Sequence, residues 1–337
     1  MRKTLKDVAR EAGVSITVAS RGLGSYGYVS RESREKVLRA AKKIGYQPDQ
    51  IAKSLKTQQT YTIGLLISDI TNIWFTTMVR AIEDVAEQNG YNLILCNTDE
   101  NQEKETRYLK VLYGKKIDGL IIVATGEKSP YLKKLIRGGL PVILIDRKLK
   151  GFHTTQVTID NEFGACEAVK HLIDLGHKRI GVINGHPRTT PGKERFEGYK
   201  KALAENNISL DPALVKYGDF RIEKARKACQ ELIKMKNPPT AIFVANNVMV
   251  MGTYQVLKEN NVRIPEEMAI VGFDDPAWAS LMEPPLTTVR QPSHSIGTMA
   301  CQVLLQRIRK NERKRLSDEE IVLRPKLIIR ESCGVKL

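Results

Sequence analysis

From residue 61 onward, short runs rich in Val, Ile and Leu alternate with amphipathic stretches of helical period, and this alternation restricts the fold more than any other feature. Runs suited to strands lie at 61–68, 91–97, 117–124, 141–146, 156–160, 179–184, 240–245 and 268–273. Helical patterns separate most of them, as at 76–89, 162–175, 193–206 and 248–260. Strands that are apolar without alternation are buried on both faces, which predicts an α/β core of parallel sheets clad by helices. On such sheets a ligand binds beyond the carboxyl ends of the strands. The polar residues just past them therefore matter most: Asp69, Asp146, Asn184, Asn246 and Asp274.

The first 60 residues have a different character. They hold thirteen basic and five acidic side chains, half of the net +16 carried by all 337 residues. Charge concentrated in a small terminal unit is the electrostatic footprint of a module that neutralises phosphates. The unit reads as three short helices. The first spans 4–11, with Thr4 as its cap, Asp7 as the capping-box partner, and Leu5, Val8 and Ala9 on one face. Gly13 stops it. Ser15 caps a second helix, 16–23, and the pair joined by a glycine-containing turn forms a helix-turn-helix, whose second helix enters the major groove. A third, 31–44, is capped by Ser30 and carries Val37, Leu38, Ala41 and Ile44 at helical spacing. Residues 49–57 form a helical segment too short to be stable alone, a linker that orders in a complex.

Several chemistries are excluded. Cys96, Cys166, Cys229, Cys301 and Cys333 are scattered and lack C-x-x-C spacing, which argues against a zinc cluster or a disulfide framework. His171 and His177 are six residues apart with no partner placed to complete a metal site. Gly22-Leu23-Gly24-Ser25-Tyr26-Gly27 matches a dinucleotide-binding fingerprint, but it follows a helix where that motif must follow a strand. No nucleophile with a paired base is evident, so no catalytic residue, cofactor or metal is assigned. No apolar run is long enough to span a bilayer and the first residues lack a signal peptide's apolar stretch, so the expected location is the cytoplasm, away from membranes.

The motifs Leu5-Lys6-Asp7-Val8-Ala9-Arg10-Glu11-Ala12-Gly13-Val14-Ser15, Ile44-Gly45-Tyr46-x-Pro48, Ala52-Lys53-Ser54-Leu55, Leu175-Gly176-His177-Lys178-Arg179-Ile180-Gly181, Gly272-Phe273-Asp274-Asp275 and Pro285-Leu286-Thr287-Thr288-Val289-x-Gln291-Pro292 occur in collinear order along nearly the whole chain. This ordered set resembles the lac repressor family of bacterial transcriptional regulators. The resemblance implies an N-terminal all-α helix-turn-helix headpiece at 1–47, a hinge helix or linker at 48–60, and an α/β core of two doubly wound lobes similar to periplasmic sugar-binding proteins. On the family pattern one lobe comprises 61–160 and 292–320, the other 161–289 and 322–337.

The resemblance also implies roles. In the headpiece Ile16, Thr17 and Arg21 match positions that reach base edges, where arginine can bond guanine in a bidentate way and the methyl groups suit thymine. Arg21 could instead contact phosphate. Thr4, Ser15, Ser20, Ser30 and Arg34 match DNA-contacting positions that set register, and Ala52, Lys53 and Leu55 match the hinge, Leu55 being the minor-groove wedge. Ala19, Gly22 and Gly24 depart from the family's usual residues, and a glycine inside the helix costs about 1 kcal/mol relative to alanine. In the core, Asp146, Arg195, Asn246, Asp274 and Gln291 match effector-contacting positions, with Phe75 and Phe220 as apolar faces, Trp74 and Trp278 as further walls, and Arg147 as a second guanidinium. Asn247 stands where the family commonly has Asp. The implied partners are a palindromic duplex operator and a sugar-like effector. Two arginines in one cleft also suit a sugar acid or a sugar phosphate. The chain ends without a heptad repeat, so a homodimer is expected rather than a coiled-coil tetramer.

Overall fold

A computed structural model describes residues 3–24, 27–47, 59–126, 128–310 and 319–334. The chain divides into two compact units, Met1–Thr60 and Tyr61–Leu337. The expected linker positions Ala52, Lys53 and Leu55 lie outside the described residues.

In the first unit, α1 (Leu5–Ala12), α2 (Ile16–Leu23) and α3 (Arg31–Lys43) surround a small core of Val8, Ala9, Ala19, Val37, Ala40 and Ala41. The Thr4 amide and hydroxyl both donate to Asp7 Oδ2, at 2.9 and 2.8 Å, which anchors the start of α1. Gly13 ends α1 in the left-handed region, φ 63°, where glycine carries no Cβ penalty. Ser15 Oγ accepts from the Val18 amide and Ser30 Oγ from the Ser33 amide, capping α2 and α3. Leu38, expected in the core, is instead 49% exposed. The buried stripe of α3 runs through Val37, Ala40 and Ala41, because α1 and α2 meet only that face. Gly22 has a packing role: a Cβ there would lie 3.0 Å from Val37 Cβ. The missing side chain lets α2 lie close on α3, and α2 continues through Gly22 to Leu23.

The second unit contains two six-stranded sheets. The first, wholly parallel, takes β1 (Thr62–Ile67), β2 (Asn92–Asn97), β3 (Gly119–Ile122), β4 (Val142–Ile145), β5 (Thr155–Ile159) and β11 (Glu320–Leu323), in the order β11-β5-β4-β3-β1-β2. Period-2 geometry sends Leu65, Ile67, Ile121 and Ile143 to one face, where α4 (Ile73–Gln88) and α11 (Ser293–Lys310) pack. It sends Leu66, Leu120, Ile122 and Leu144 to the other, against α5 (Gln102–Gly114) and α6 (Pro130–Arg137).

The second sheet takes β6 (Ile180–Asn184), β7 (Val215–Tyr217), β8 (Ala241–Val244), β9 (Ala269–Phe273), β10 (Thr287–Arg290) and β12 (Lys326–Ile328). It is parallel except for β12, which runs antiparallel to β10. Its helices are α7 (Asn161–Asp174), α8 (Thr190–Glu205), α9 (Ile222–Ile233) and α10 (Asn247–Glu259). The chain crosses between sheets three times, after Ile159, Arg290 and Leu323. The last crossing corrects the expected boundary at 322. Val322 and Leu323 still pair with Thr158 and Ile159, and the chain leaves the first sheet only at Arg324-Pro325, where proline has no amide to donate.

Candidate functional site

The two units each carry a set of expected site residues. On α2, Ile16, Thr17 and Arg21 are exposed and Ser20 half-buried. Thr17 and Arg21, four residues apart, project from the same side of the helix. Ile16, at 47%, is one of the more exposed apolar side chains of the unit. Arg34 Nη2 donates to the Gly24 carbonyl at 3.1 Å and so ties α3 to the segment that follows α2. The unit's described carboxylates are taken up locally: Asp7 by Thr4 and Arg10, Glu11 by Lys43, Glu32 by Lys36 and Glu35 by Arg31. No carboxylate pairs with Lys6 of α1, Arg21 of α2 or Arg34 of α3 among the described residues, so one cation on each helix stays unneutralised.

In the core, Trp74, Phe75, Asp146, Arg147, Arg195, Phe220, Asn246, Asp274 and Gln291 line a single cleft between the sheets. It holds about 520 Å³ of atom-free space, its open mouth included. Topology explains the convergence. Asp146 directly follows β4, Asp274 follows β9, Gln291 follows β10, and Asn246 caps α10 just past β8. Asp146, Phe220 and Asp274 have φ of 66°, 59° and 72°. Non-glycine residues held in the left-handed region carry strain that the surrounding fold must over-determine, a recurrent property of ligand sites. Gly185, after β6, makes room for Phe220: a Cβ there would fall 1.9 Å from Phe220 Cζ. Trp278 corrects an expectation. It sits in the 3-10 turn Ala277–Leu281, packed against the second lobe's core, and is not a wall of the cleft.

The electrostatics are those of buried charges held by neighbours. Arg195 is 3% exposed, donates from Nε to Asn161 Oδ1 at 2.8 Å and from Nη1 to the Ala245 carbonyl at 2.6 Å, and lies 3.7 Å over the Phe273 ring. Burial lowers its pKa against the pull of Asp274 and Asp146. Asp274 Oδ2 accepts from the Asn247 amide at 3.1 Å, and Oδ1 accepts from the Gln291 amide. Burial raises its pKa, opposed by Arg195. Burial likewise pushes the Asp146 carboxyl up to about 6, with Arg147 and Arg195 opposing and Glu100 and Asp274 adding to the rise. Arg147 holds Glu100 through both terminal nitrogens and donates to the Ala124 carbonyl at 3.0 Å. Three lining residues carry a buried polar atom without a hydrogen-bond partner, Trp74 Nε1, Arg147 Nε and Gln291 Oε1, and Arg147 Nε lies 3.5 Å from Asp146 Oδ2.

Residues not singled out as effector contacts complete the site. Glu100 neutralises Arg147, Asn72 caps α4 through the Trp74 amide, and Asp69 and Arg221 meet at 3.7 Å across the mouth. Asn247 Nδ2 donates to Asn72 Oδ1 at 2.9 Å, a buried bond from one lobe to the other. The amide at 247 thus serves as an interlobe bridge, where a carboxylate would have faced the Asn72 oxygen. Asn184, noted at the end of β6, instead donates to the Gly192 carbonyl and fixes the start of α8. Among the described residues no group of three or more metal-ligating side chains occurs, and no helix is long and apolar enough to cross a membrane.

Comparison with known proteins agrees with this arrangement in both units. Residues 4–49 match the model of bacterial regulatory proteins of the lacI family, and 169–333 that of the periplasmic binding protein-like domain. The HTH-type transcriptional repressor PurR of Photobacterium profundum is 36% identical over 331 residues, 98% of each chain. The HTH-type transcriptional regulator RegA of Clostridium saccharobutylicum is 36% identical over 98% of this chain and 99% of its own. Among solved structures, the lac repressor dimer bound to operator and the anti-inducer ONPF matches with TM-score 0.87, 26% identity and 99% coverage of both chains. The regulator CelR in complex with cellobiose matches at TM-score 0.75 and 30% identity, covering 98% of this chain and all of that one. The chain therefore belongs to the lacI family of bacterial regulatory proteins and is a DNA-binding transcriptional repressor, not an enzyme.

Proposed function

We propose that the protein is a cytoplasmic homodimer that represses carbohydrate-utilisation genes from a palindromic operator and is controlled by a neutral monosaccharide bound in the cleft. The observation that carries this reading is the pairing of two buried carboxylates, Asp146 from one lobe and Asp274 from the other, with the amides of Asn246 and Gln291. Carboxylate and amide oxygens accept from vicinal hydroxyls, arginine donates to hydroxyl oxygens, and Trp74, Phe75 and Phe220 offer faces to the C–H side of a sugar ring. A similar regulator from Enterococcus faecium has been solved with bound ribose, at 31% identity and TM-score 0.73. A purine base is the second reading, favoured by the relatives named PurR. Against it, Trp74 and Phe75 meet edge to face at 69°, so these two rings do not form a parallel slot for a flat base.

A thermal-shift screen of the full chain against D-ribose, other neutral pentoses and hexoses, the corresponding sugar acids and a purine base tests the proposal. A ligand at a hundred times its Kd adds about 2.7 kcal/mol to apparent stability. A neutral sugar is expected to raise the Tm, and a rise with the purine alone overturns the reading. The pH dependence adds a sign. The Asp146 carboxyl lies above its ordinary value, at about 6, so the native state holds its proton more tightly than the unfolded chain. Its contribution to stability without ligand therefore falls as pH climbs from the unfolded value of 3.8 through about 6. Hydroxyl recognition needs the ionised form, so sugar affinity is expected to rise roughly tenfold from pH 5 to pH 7.5 by calorimetry.

A further inference from the structure

The glycines at 22, 24 and 27, which match a dinucleotide-binding fingerprint in the wrong context, serve α2 and its arginine instead. Gly22 lets α2 lie against Val37 of α3. Gly24 has φ −103° and ψ 174°, ordinary extended backbone, and its carbonyl accepts from Arg34 Nη2 at 3.1 Å, which pins the exit of α2 to α3. Gly27 differs from both. Its φ is 74°, in the left-handed region that glycine enters without a Cβ penalty. It also lies against the side chain of Arg21: a Cβ at 27 would stand 3.0 Å from Arg21 Nε, 3.2 Å from Cδ and 3.4 Å from Cγ. Three successive atoms of the arginine therefore run along the side of Gly27 that any other residue would fill with its own side chain.

We infer that Gly27 is a positioning residue for operator recognition: its missing side chain seats the stem of Arg21 and so sets the direction in which the guanidinium leaves α2. A bidentate bond to a base edge needs two N–H groups at the right distance and angle together, whereas a phosphate accepts from many directions and carries no base information. A Cβ at 27 would make the stem give by a few tenths of an ångström. Arg21 is exposed, so the arginine is what yields, and the headpiece core around Val8, Ala19 and Val37 is left as it is. The inference rests on the reading of Arg21 as a base contact only for which sequences lose affinity.

Enrichment of duplexes from a random pool by the full chain, read out by sequencing, tests it for wild type, Arg21→Ala, Gly27→Ala and Gly27→Asn. Arg21→Ala identifies the base pair that the arginine reads. Both Gly27 variants should weaken the preference at that same base pair about tenfold and leave every other position within twofold of wild type. Alanine is strained at a φ of 74°, whereas asparagine tolerates the left-handed region and still carries a Cβ, so Gly27→Asn isolates the contact with Arg21 from backbone strain. A wild-type preference in Gly27→Asn, or a loss spread over all positions, overturns the inference, since a merely structural glycine would affect every base pair alike. If Arg21→Ala weakens all sequences equally, the base-contact reading falls. Positioning then stands if Gly27→Asn weakens binding to a scrambled duplex in the presence of Arg21 and not in Arg21→Ala, and falls if the loss is the same in both.

Discussion

Asp274→Ala is expected to lower affinity for the cleft ligand by a hundredfold or more and to lower the Tm as well. The carboxylate is fully enclosed, accepts from the Asn247 amide and the Gln291 side chain, and opposes the buried Arg195. Removing it leaves two donors and a guanidinium without their counterpart, at a cost of about 3 kcal/mol for breaking a buried charged arrangement. For a core of this size that corresponds to a fall of roughly 6 °C. Hydrogen bonds from a ligand to a charged group contribute about 1.5–3 kcal/mol each, so losing two costs on the order of a hundredfold in Kd. Asp274→Asn separates the two effects: it keeps shape and removes charge, so most of the Tm should survive while ligand binding is still lost. Ligand affinity within threefold of wild type in Asp274→Asn would show that the carboxylate is structural only.

Arg21→Ala is expected to remove specific operator binding while sparing non-specific binding. The side chain is exposed beside Thr17 on α2, and no carboxylate competes for it among the described residues. A bidentate arginine–guanine contact is worth about 1–3 kcal/mol. The proposed symmetric dimer would make it twice, so about 2–6 kcal/mol of discrimination would depend on this residue. Binding isotherms on operator and on scrambled duplex, each over a range of salt, distinguish the roles. A base contact weakens operator binding alone and leaves the slope of log K against log salt unchanged. A phosphate contact weakens both duplexes alike and makes the slope shallower by about one per arginine lost.

Most interior strands were legible because burial on both faces leaves continuous apolar runs, as at Val142–Ile145, but β10 (Thr287–Arg290), which opens with two threonines, was not. The headpiece helices were legible from their caps and glycine stop. Of the edge strands, β2 was legible at 91–97 and β7, β11 and β12 were not. Val215–Tyr217 and Lys326–Ile328 span three half-exposed residues each, too few for a period to emerge. Leu38 failed because a helix's apolar residues say which faces could be buried, and only neighbouring helices decide which one is. Within the cleft, Asp146, Asn246 and Asp274 could be found at strand ends. Glu100 and Asn72 could not, since their roles depend on partners, Arg147 and Asn247, that are distant in sequence. Trp278 misled because an aromatic near a motif has the same composition whether it faces a ligand or the core.

The Asn72–Asn247 bond and the Asp274–Asn247 bond share one residue, so a ligand that engages Asp274 acts next to a contact that joins the lobes. A ligand shifts the DNA-binding population only by its differential affinity for the two lobe arrangements. The most direct measurement is fluorescence anisotropy of the full chain on a duplex enriched from a random pool, with and without a saturating cleft ligand, for wild type and Asp274→Asn. Control from the cleft predicts a change in operator Kd of tenfold or more in wild type and none in the variant. An operator Kd in wild type that is the same with and without the bound ligand would contradict it.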